Sequence, residues 1–221
     1  MDLGRRQRRA MLMHCSLGAL GLLRSPLALA AAGTKRIVVL GDSLSAEYGL
    51  ARGSGWVALL EQRLAQQKIP ASVFNASISG DTTSGGRSRL PAVLAAQKPT
   101  HLIIELGGND ALRGLPLKQT RENLEAMIRA GRAAGAKVLL VGMQMPPNYG
   151  PVAEQFAALY GELARQEKTA LVPFLLKGVA DRPDALNWFQ ADGIHPLAKA
   201  HPQMLDNVWQ GLKPLLLGRQ R

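Results

Sequence analysis

The 221-residue sequence has a single cysteine, Cys15, which lies in an N-terminal segment that we expect to be removed. The rest of the chain therefore offers no thiol nucleophile, no disulfide and no cysteine-based metal site. Aromatic residues are also scarce, at 5% of the chain, and no cluster of basic residues interleaved with aromatics occurs. Although the formal net charge is +11, the sequence therefore predicts no nucleic-acid partner.

The sequence also lacks an apolar run long enough to span a membrane. Arg24 and Pro26 end the apolar stretch at 11–23, which stays below the roughly 18 to 20 residues that a bilayer requires. Four arginines precede this stretch, and small residues suited to signal peptidase follow it. We therefore predict a signal peptide at 1–32, a single domain at 33–221, and export to the periplasm or beyond the cell.

Two other interpretations of the N-terminal segment remain open. The pair Arg8-Arg9 fits a twin-arginine signal in part, and the alternative to any signal is a poorly ordered basic tail. Five of the 27 Lys and Arg residues and one of the 16 acidic residues fall in 1–32, so the remainder has a formal charge of +7. That charge favours anionic partners such as lipid headgroups, without stable membrane insertion after the signal is removed.

Five short apolar runs alternate with amphipathic stretches along the remaining chain. The runs have the Val, Ile and Leu content of strands buried on both faces and lie at 36–40, 72–75, 101–106, 137–143 and 170–174. Stretches with helical spacing of apolar residues lie at 56–67, 87–97, 119–134, 152–166 and 197–217. This alternation predicts an α/β domain in which helices cover both faces of a parallel sheet.

Polar residues follow the predicted strands at the edge where open α/β sheets bind ligands. A serine nucleophile needs a base, usually a histidine that a carboxylate holds in the correct tautomer. Ser43, Asp192 and His195 fit these roles, since a tight loop brings the Asp192 carboxylate to one ring nitrogen while the other faces Ser43. The alternative is a purely structural Asp-x-x-His pair. We also expect a helix to begin at Ser43.

Acyl transfer further requires hydrogen-bond donors aimed at the oxygen that becomes negatively charged. Three candidates follow three different predicted strands: the backbone N–H of Ser43, the backbone N–H of Gly80 and the side-chain amide of Asn109. Gly80 permits close approach of the backbone, and the glycines at 107 and 108 let Asn109 project from a tight turn. Ordinary turn chemistry is the alternative interpretation of both segments.

Four segments in this order resemble the SGNH (GDSL) hydrolases. They are GDSLSA at 41–46, NASISGDT at 75–82, ELGGNDALRG at 105–114 and QADGIHP at 190–196. The resemblance covers essentially the whole chain after the signal and is strongest to the exported bacterial thioesterases, lysophospholipases and arylesterases. It implies a flavodoxin-like three-layer α/β/α sandwich with a five-stranded parallel sheet.

The resemblance also implies specific roles. Ser43 is the expected nucleophile, His195 the base and Asp192 its orienting carboxylate, with Ser43, Gly80 and Asn109 as oxyanion donors. The expected enzyme is a monomer without a metal or cofactor, and its expected small-molecule substrates are medium to long acyl or aromatic esters and thioesters, lysophospholipids among them. The alternatives are a carbohydrate O-deacetylase of the same fold and a non-catalytic acyl- or lipid-binding domain.

Other polar residues are expected to have structural roles. We expect Asp42, Asp81 and Asp110 to brace loops through hydrogen bonds to the backbone. Glu47 is expected to be a solvated carboxylate in a first helical turn. The other two histidines of the domain, His101 and His201, are expected to lie outside the site. The loops at 79–86, 111–117 and 143–151 should border the acyl site. Apolar side chains in and beside them are candidates for its lining: Leu112, Leu115, Met143 and Met145.

Overall fold

The computed structural model describes residues 34–218, so the predicted signal peptide and Cys15 lie outside the described residues. Its five strands are β1 (Lys35–Gly41), β2 (Ala71–Asn75), β3 (His101–Glu105), β4 (Lys137–Val141) and β5 (Ala170–Val172). They form one sheet in the order β2-β1-β3-β4-β5, and all neighbours pair in parallel. This is the flavodoxin-like strand order, and it confirms the predicted fold.

Helices connect the strands and cover the sheet. They are α1 (Trp56–Gln66), α2 (Thr83–Gln97), the short α3 (Gly108–Leu112), α4 (Leu117–Ala133), α5 (Pro151–Gln166) and α6 (His201–Leu216). α1 packs against α6, while α4 packs between α2 and α5. None of these helices combines the length and the apolar character needed to cross a membrane.

The sheet is buried most completely at its centre. All residues of β3 are buried, and the apolar residues of β1 and β4 form the middle of the core. β2 differs, because it is an edge strand whose residues are half-buried or exposed, with Phe74 at 44%. The prediction that all five strands are buried on both faces is therefore wrong for the edge strand β2 and in part for the other edge strand, β5, where Ala170 and Leu171 are half-buried. A short apolar run alone does not distinguish an edge strand from a central one.

The chain changes direction across the sheet between β1 and β3. From β1 it crosses to β2 on one side, and from β3 it proceeds to β4 on the other. In open α/β sheets, ligands bind at such a point, outside the carboxyl ends of the two strands, here β1 and β3. The segments that begin at Asp42 and Gly107 lie at this point.

Candidate active site

The segment after β1 turns tightly and carries Ser43. The Asp42 carboxylate accepts the Leu44 N–H at 3.0 Å, and the Asp42 carbonyl accepts the N–H groups of Ser45 at 3.2 Å and Ala46 at 3.0 Å. These bonds hold the turn in one conformation, as predicted for Asp42.

The turn does not continue into a helix. Residues 43–49 remain in turns, and α1 begins only at Trp56, so the expected helix at Ser43 is wrong. Glu47, with φ of +59°, directs its carboxylate to the N–H groups of Gly53 at 3.0 Å and Gly55 at 2.7 Å. Glu47 therefore braces a loop and is not the solvated first-turn carboxylate that the sequence led us to expect.

Asp192 and His195 lie together on the loop at 188–197, which is part of the connection between β5 and α6. Asp192 Oδ1 accepts the N–H groups of Ile194 at 2.9 Å and His195 at 3.0 Å, while Oδ2 lies 2.6 Å from His195 Nδ1. The backbone N–H of His195, followed by its ring and the Ile194 N–H, stabilises the charged carboxylate and lowers the pKa of Asp192 to about 2. Asp192 therefore stays ionised at any pH near neutrality.

The fold brings this pair to the turn after β1. His195 Nε2 lies 2.8 Å from Ser43 Oγ, although 152 positions separate the two residues along the chain. A continuous path of hydrogen bonds thus runs from the Ser43 hydroxyl through the imidazole to the Asp192 carboxylate. The three residues predicted to act together are therefore in contact.

Two of the three predicted oxyanion donors have their hydrogens free. Within the described range, the backbone N–H groups of Ser43 and Gly80 donate to no protein acceptor. Gly80 has φ of +78°, a left-handed conformation that a residue with a side chain rarely adopts. An N–H without an internal partner at the edge of a sheet is available to a ligand.

Asn109 is placed beside these groups but its amide is engaged. Nδ2 donates to Asp42 Oδ2 at 3.1 Å and to the Asp81 carbonyl at 2.9 Å, which occupies both amide hydrogens. Gly107 allows this placement, because it has φ of +118° and a Cβ there would lie 2.3 Å from the Tyr160 hydroxyl. Asn109 therefore links the turn after β1 to the Gly80 segment.

Residues 39–202, which contain all of these groups, match the GDSL-like lipase/acylhydrolase family. The chain belongs to this family. Among curated proteins it is 55% identical over 186 residues to esterase TesA of Pseudomonas aeruginosa, a match that covers 84% of this chain and 91% of that protein. It is 42% identical over 187 residues to thioesterase 1/protease 1/lysophospholipase L1 of Escherichia coli, covering 84% and 87% respectively.

Solved structures of GDSL-like hydrolases superpose on the domain. The crystal structure of TesA, 55% identical, covers 82% of this chain and 99% of its own with a TM-score of 0.78. The esterase EstA of Pseudoalteromonas sp., solved with monoethylphosphonate as inhibitor, is 37% identical and gives a TM-score of 0.76 over 83% and 99% of the two chains. The family comparison thus agrees with the resemblance seen in the four sequence segments.

Two arginines hold the Gly80 segment of this GDSL-like hydrolase, and neither was predicted. The Arg89 guanidinium on α2 donates to Asp81 Oδ2 at 2.7 Å, to the Gly41 carbonyl at 3.2 Å and to the carbonyl of Ala76. Arg113 donates to the Gly80 carbonyl at 2.8 Å. Because the carbonyl of Gly80 is fixed, the orientation of the neighbouring peptide groups is restricted as well.

A buried carboxyl group lies beneath the turn after β1. Glu105 Oε2, at the end of β3, accepts the Ser45 hydroxyl at 2.6 Å and the Asp42 N–H at 3.4 Å. Glu105 Oε1 has no hydrogen-bond partner within 34–218. A Cβ at position 41 would lie 2.8 Å from Glu105 Oε2, so the glycine makes room for this carboxyl.

Burial determines the protonation of this group. Desolvation, with repulsion from Asp42 as the second cause, raises the pKa of Glu105 well above its ordinary value of 4.5. Desolvation also raises the pKa of Asp42 to about 6, against the opposing bonds from Leu44 and Asn109. Burial therefore disfavours the ionised form of both carboxyl groups, and the charge of Asp42 further disfavours ionisation of Glu105.

We expect the Tm of Glu105→Gln to rise relative to the Tm of the wild type as the pH increases from 5 to 8. The folded wild type retains a proton that the unfolded chain releases above about pH 4.5, so its stability falls with pH across this window. Glutamine cannot ionise and keeps an acceptor for Ser45. Thermal melts measure the difference, at about 2–4 °C per kcal/mol for a domain of this size.

The exposed residue Glu61 provides the control for this prediction. Glu61→Gln should show the same pH dependence of Tm as the wild type. If the Tm difference between Glu105→Gln and the wild type shrinks as the pH rises, Glu105 is ionised in the folded protein and the assignment of its proton is wrong.

The remaining sequence-predicted residues lie where their expected roles place them. Asp110 accepts the N–H of Thr83 at 2.8 Å and the hydroxyl of Thr120 at 3.2 Å, and Asp81 accepts the N–H of Thr82 at 3.0 Å. The other two histidines of the domain, His101 and His201, are buried, and neither forms a hydrogen bond with Ser43, Asp192 or His195. His101 contacts the Leu215 carbonyl, and His201 Nδ1 accepts the Trp56 N–H at 3.0 Å.

The expected apolar lining of the acyl site is open to solvent in part. Leu112 is 58% exposed, Leu115 and Met145 are half-buried, and Met143 belongs to the core. Two cavities of about 460 and 420 Å³ lie elsewhere, between β5 and α6 and between α4 and α5.

Tyr48 was not predicted near the site, yet the centre of its ring lies 4.3 Å from the centre of the His195 ring. In the described part of the chain no three acidic or histidine side chains gather as a metal site would require.

Proposed function

We propose that this GDSL-like hydrolase is a serine esterase and thioesterase that uses Ser43, His195 and Asp192 as its triad. The single observation that carries the proposal is the path of hydrogen bonds from Ser43 Oγ through both ring nitrogens of His195 to Asp192. That arrangement suits proton transfer during attack on an acyl carbon. Relatives named esterase, thioesterase, lysophospholipase and arylesterase support the substrate class.

Acylation begins when Ser43 Oγ attacks the carbonyl carbon of the ester or thioester. The hydroxyl proton moves to His195 Nε2, and the carbonyl oxygen becomes an anion in a tetrahedral intermediate. Asp192 remains ionised because its pKa is about 2, so it stabilises the imidazolium that forms and fixes the ring through Nδ1. His195 then returns the proton to the departing alcohol or thiol.

The oxyanion is stabilised by the free N–H groups of Ser43 and Gly80. Asn109 adds a third donor by exchanging one of its present bonds, to Asp42 or to the Asp81 carbonyl, for the oxyanion. The exchange replaces one acceptor by another, so the amide is never left unpaired. Donors already oriented before the reaction are worth about 2.7–4 kcal/mol each in the transition state.

Deacylation repeats the sequence with water. His195 Nε2 removes a proton from a water molecule that attacks the acyl carbon, and the second tetrahedral intermediate collapses to release the carboxylic acid and restore Ser43. Leu112 is exposed and Met145 is half-buried, which suits an open acyl site that accepts chains of different lengths. The substrates are medium to long acyl esters, thioesters and lysophospholipids.

The experiment is hydrolysis of p-nitrophenyl esters with acyl chains of two to sixteen carbons, together with acyl-CoA thioesters. The full chain is expressed and recovered from the periplasm, where its mass should correspond to removal of residues 1–32 and its light scattering to a monomer. We expect turnover of several chain lengths, and stoichiometric labelling of Ser43 by a p-nitrophenyl phosphonate with release of nitrophenol.

Each rival function gives a different result in this assay. Turnover confined to two-carbon esters would favour the carbohydrate O-deacetylase. Binding of acyl chains without turnover would favour a non-catalytic acyl-binding domain. Phosphonate labelling at a residue other than Ser43, or strong inhibition by EDTA, would overturn the proposed mechanism.

A further inference from the structure

The loop that carries Asp192 and His195 is closed by its own backbone. The Leu197 N–H donates to the Trp188 carbonyl at 2.8 Å, and the Gln190 N–H donates to the His195 carbonyl at 2.7 Å. The Gln190 carbonyl in turn accepts the Gly193 N–H at 2.9 Å. The loop therefore has a defined shape, but these bonds do not fix its position relative to Ser43.

The side chain of Gln190 makes the connection to the other half of the site. Its Nε2 donates to the Tyr48 carbonyl at 2.9 Å and to the Pro196 carbonyl at 3.3 Å. Tyr48 belongs to the turn that carries Ser43, and Pro196 follows His195 directly. One amide group thus donates to both segments and uses both of its hydrogens.

The amide of Gln190 is also packed closely against the Ser43 turn. A Cβ at Gly49, which has φ of +70°, would lie 2.1 Å from Gln190 Oε1. The Tyr48 ring, whose own carbonyl Gln190 binds, lies against the ring of His195. Among the described residues, two hydrogen bonds join the Ser43 turn to the loop that carries His195. One is the Ser43–His195 bond of the site, and the other is the bond from Gln190 Nε2 to the Tyr48 carbonyl.

We infer that Gln190 is a positioning residue that sets the distance between His195 Nε2 and Ser43 Oγ, a role that rests on the proposed function of these two groups. Without the amide donors, the loop keeps its Asp192–His195 bond, but its remaining contacts with the turn after β1 are the Tyr48 ring against His195 and the Ser43–His195 hydrogen bond itself. A displacement of the base of about 1 Å can cost on the order of 10²-fold in rate. Gln190 is not among the side chains expected to line the acyl site, so KM should change little.

The test compares Gln190→Met and Gln190→Glu with the wild type. Methionine keeps the length and approximate volume without hydrogen bonding, and glutamate keeps the shape but, when ionised, cannot donate. We expect kcat and the rate of phosphonate labelling of Ser43 to fall about 10- to 100-fold in both variants. KM should stay within about threefold, and Tm within a few degrees.

Proton NMR separates loss of positioning from collapse of the loop. The low-field resonance of the proton between His195 Nδ1 and Asp192 should persist in both variants, because that bond lies within the loop. Gln166→Ala, on the exposed surface of α5, is the matched control and should behave as the wild type.

The outcomes distinguish this inference from the proposed function. If the wild type hydrolyses esters and Gln190→Met retains its kcat, the role of Gln190 is wrong while the triad stands. Loss of the low-field resonance together with a large drop in Tm would make Gln190 a structural residue of the loop. An inactive wild type would instead contradict the proposed function.

Discussion

Ser43→Ala should lower kcat by a factor on the order of 10⁶ and leave the folded protein intact. The hydroxyl is half-buried and its partner is His195 Nε2, so alanine removes the attacking atom without leaving a deeply buried polar group unpaired. Hydrolysis of a p-nitrophenyl ester under saturating conditions measures the loss. Phosphonate labelling, which needs the same oxygen, should disappear with it.

Ser45 is the matched control for this prediction, because it is a serine in the same turn. Its hydroxyl donates to the buried Glu105 and lies away from His195. Ser45→Ala should cost about 1 kcal/mol of unfolding free energy and should reduce kcat by no more than about tenfold. Turnover retained in Ser43→Ala and abolished in Ser45→Ala would show that the nucleophile is misassigned.

Asn109→Ala should lower kcat about 10² to 10³-fold with a much smaller change in KM. The variant loses the third donor to the oxyanion, and it also loses the bond that ties Asp81 to the turn at Asp42. In the transition state the oxyanion bond replaces one of these two bonds, so the loss falls on the transition state, whereas the Asn109 amide has no direct part in substrate binding. Steady-state kinetics over the ester series give kcat and KM separately.

The exposed Asn187 serves as the control for Asn109. Asn187→Ala should leave kcat and Tm at wild-type values. An unchanged kcat in Asn109→Ala would remove Asn109 from the oxyanion site and leave it only the linking role seen in its present hydrogen bonds. A rise in KM that accounts for the whole loss would place Asn109 in substrate binding.

Much of the fold could be predicted because each central strand is a short apolar run and because α1, α4, α5 and α6 each have a clear apolar face, which α2 lacks. Observed strand ends lie within two residues of the predicted ends, and helix ends within four. The short α3 was missed, since its five residues contain less than two helical turns of pattern. The exposure of β2 was missed because Phe74 and Val73 have the composition of a buried strand.

The residues of the site could be predicted where they lie in short, recognisable sequence segments. Ser43, Asp192 and His195 each stand in a recognisable motif, and the topology of a parallel sheet brings the motifs to one edge. Gln190 and Arg89 were not assigned, because the partners of Gln190 and two of the three partners of Arg89 are backbone carbonyls, which carry no sequence signal. Glu47 was misassigned because a positive φ at a non-glycine residue is set by the surrounding loop.

The bridge of hydrogen bonds across the loop at 188–197 divides the site into two mechanically distinct parts. Ser43 lies in the turn directly after the central strand β1, and buried central strands of this kind open only when the whole domain unfolds. Asp192 and His195 instead depend on a few bonds at the surface, a region from which partial opening starts. Substitutions that loosen this loop therefore reduce turnover long before they reduce the population of folded enzyme, and a better-packed core cannot restore what they remove.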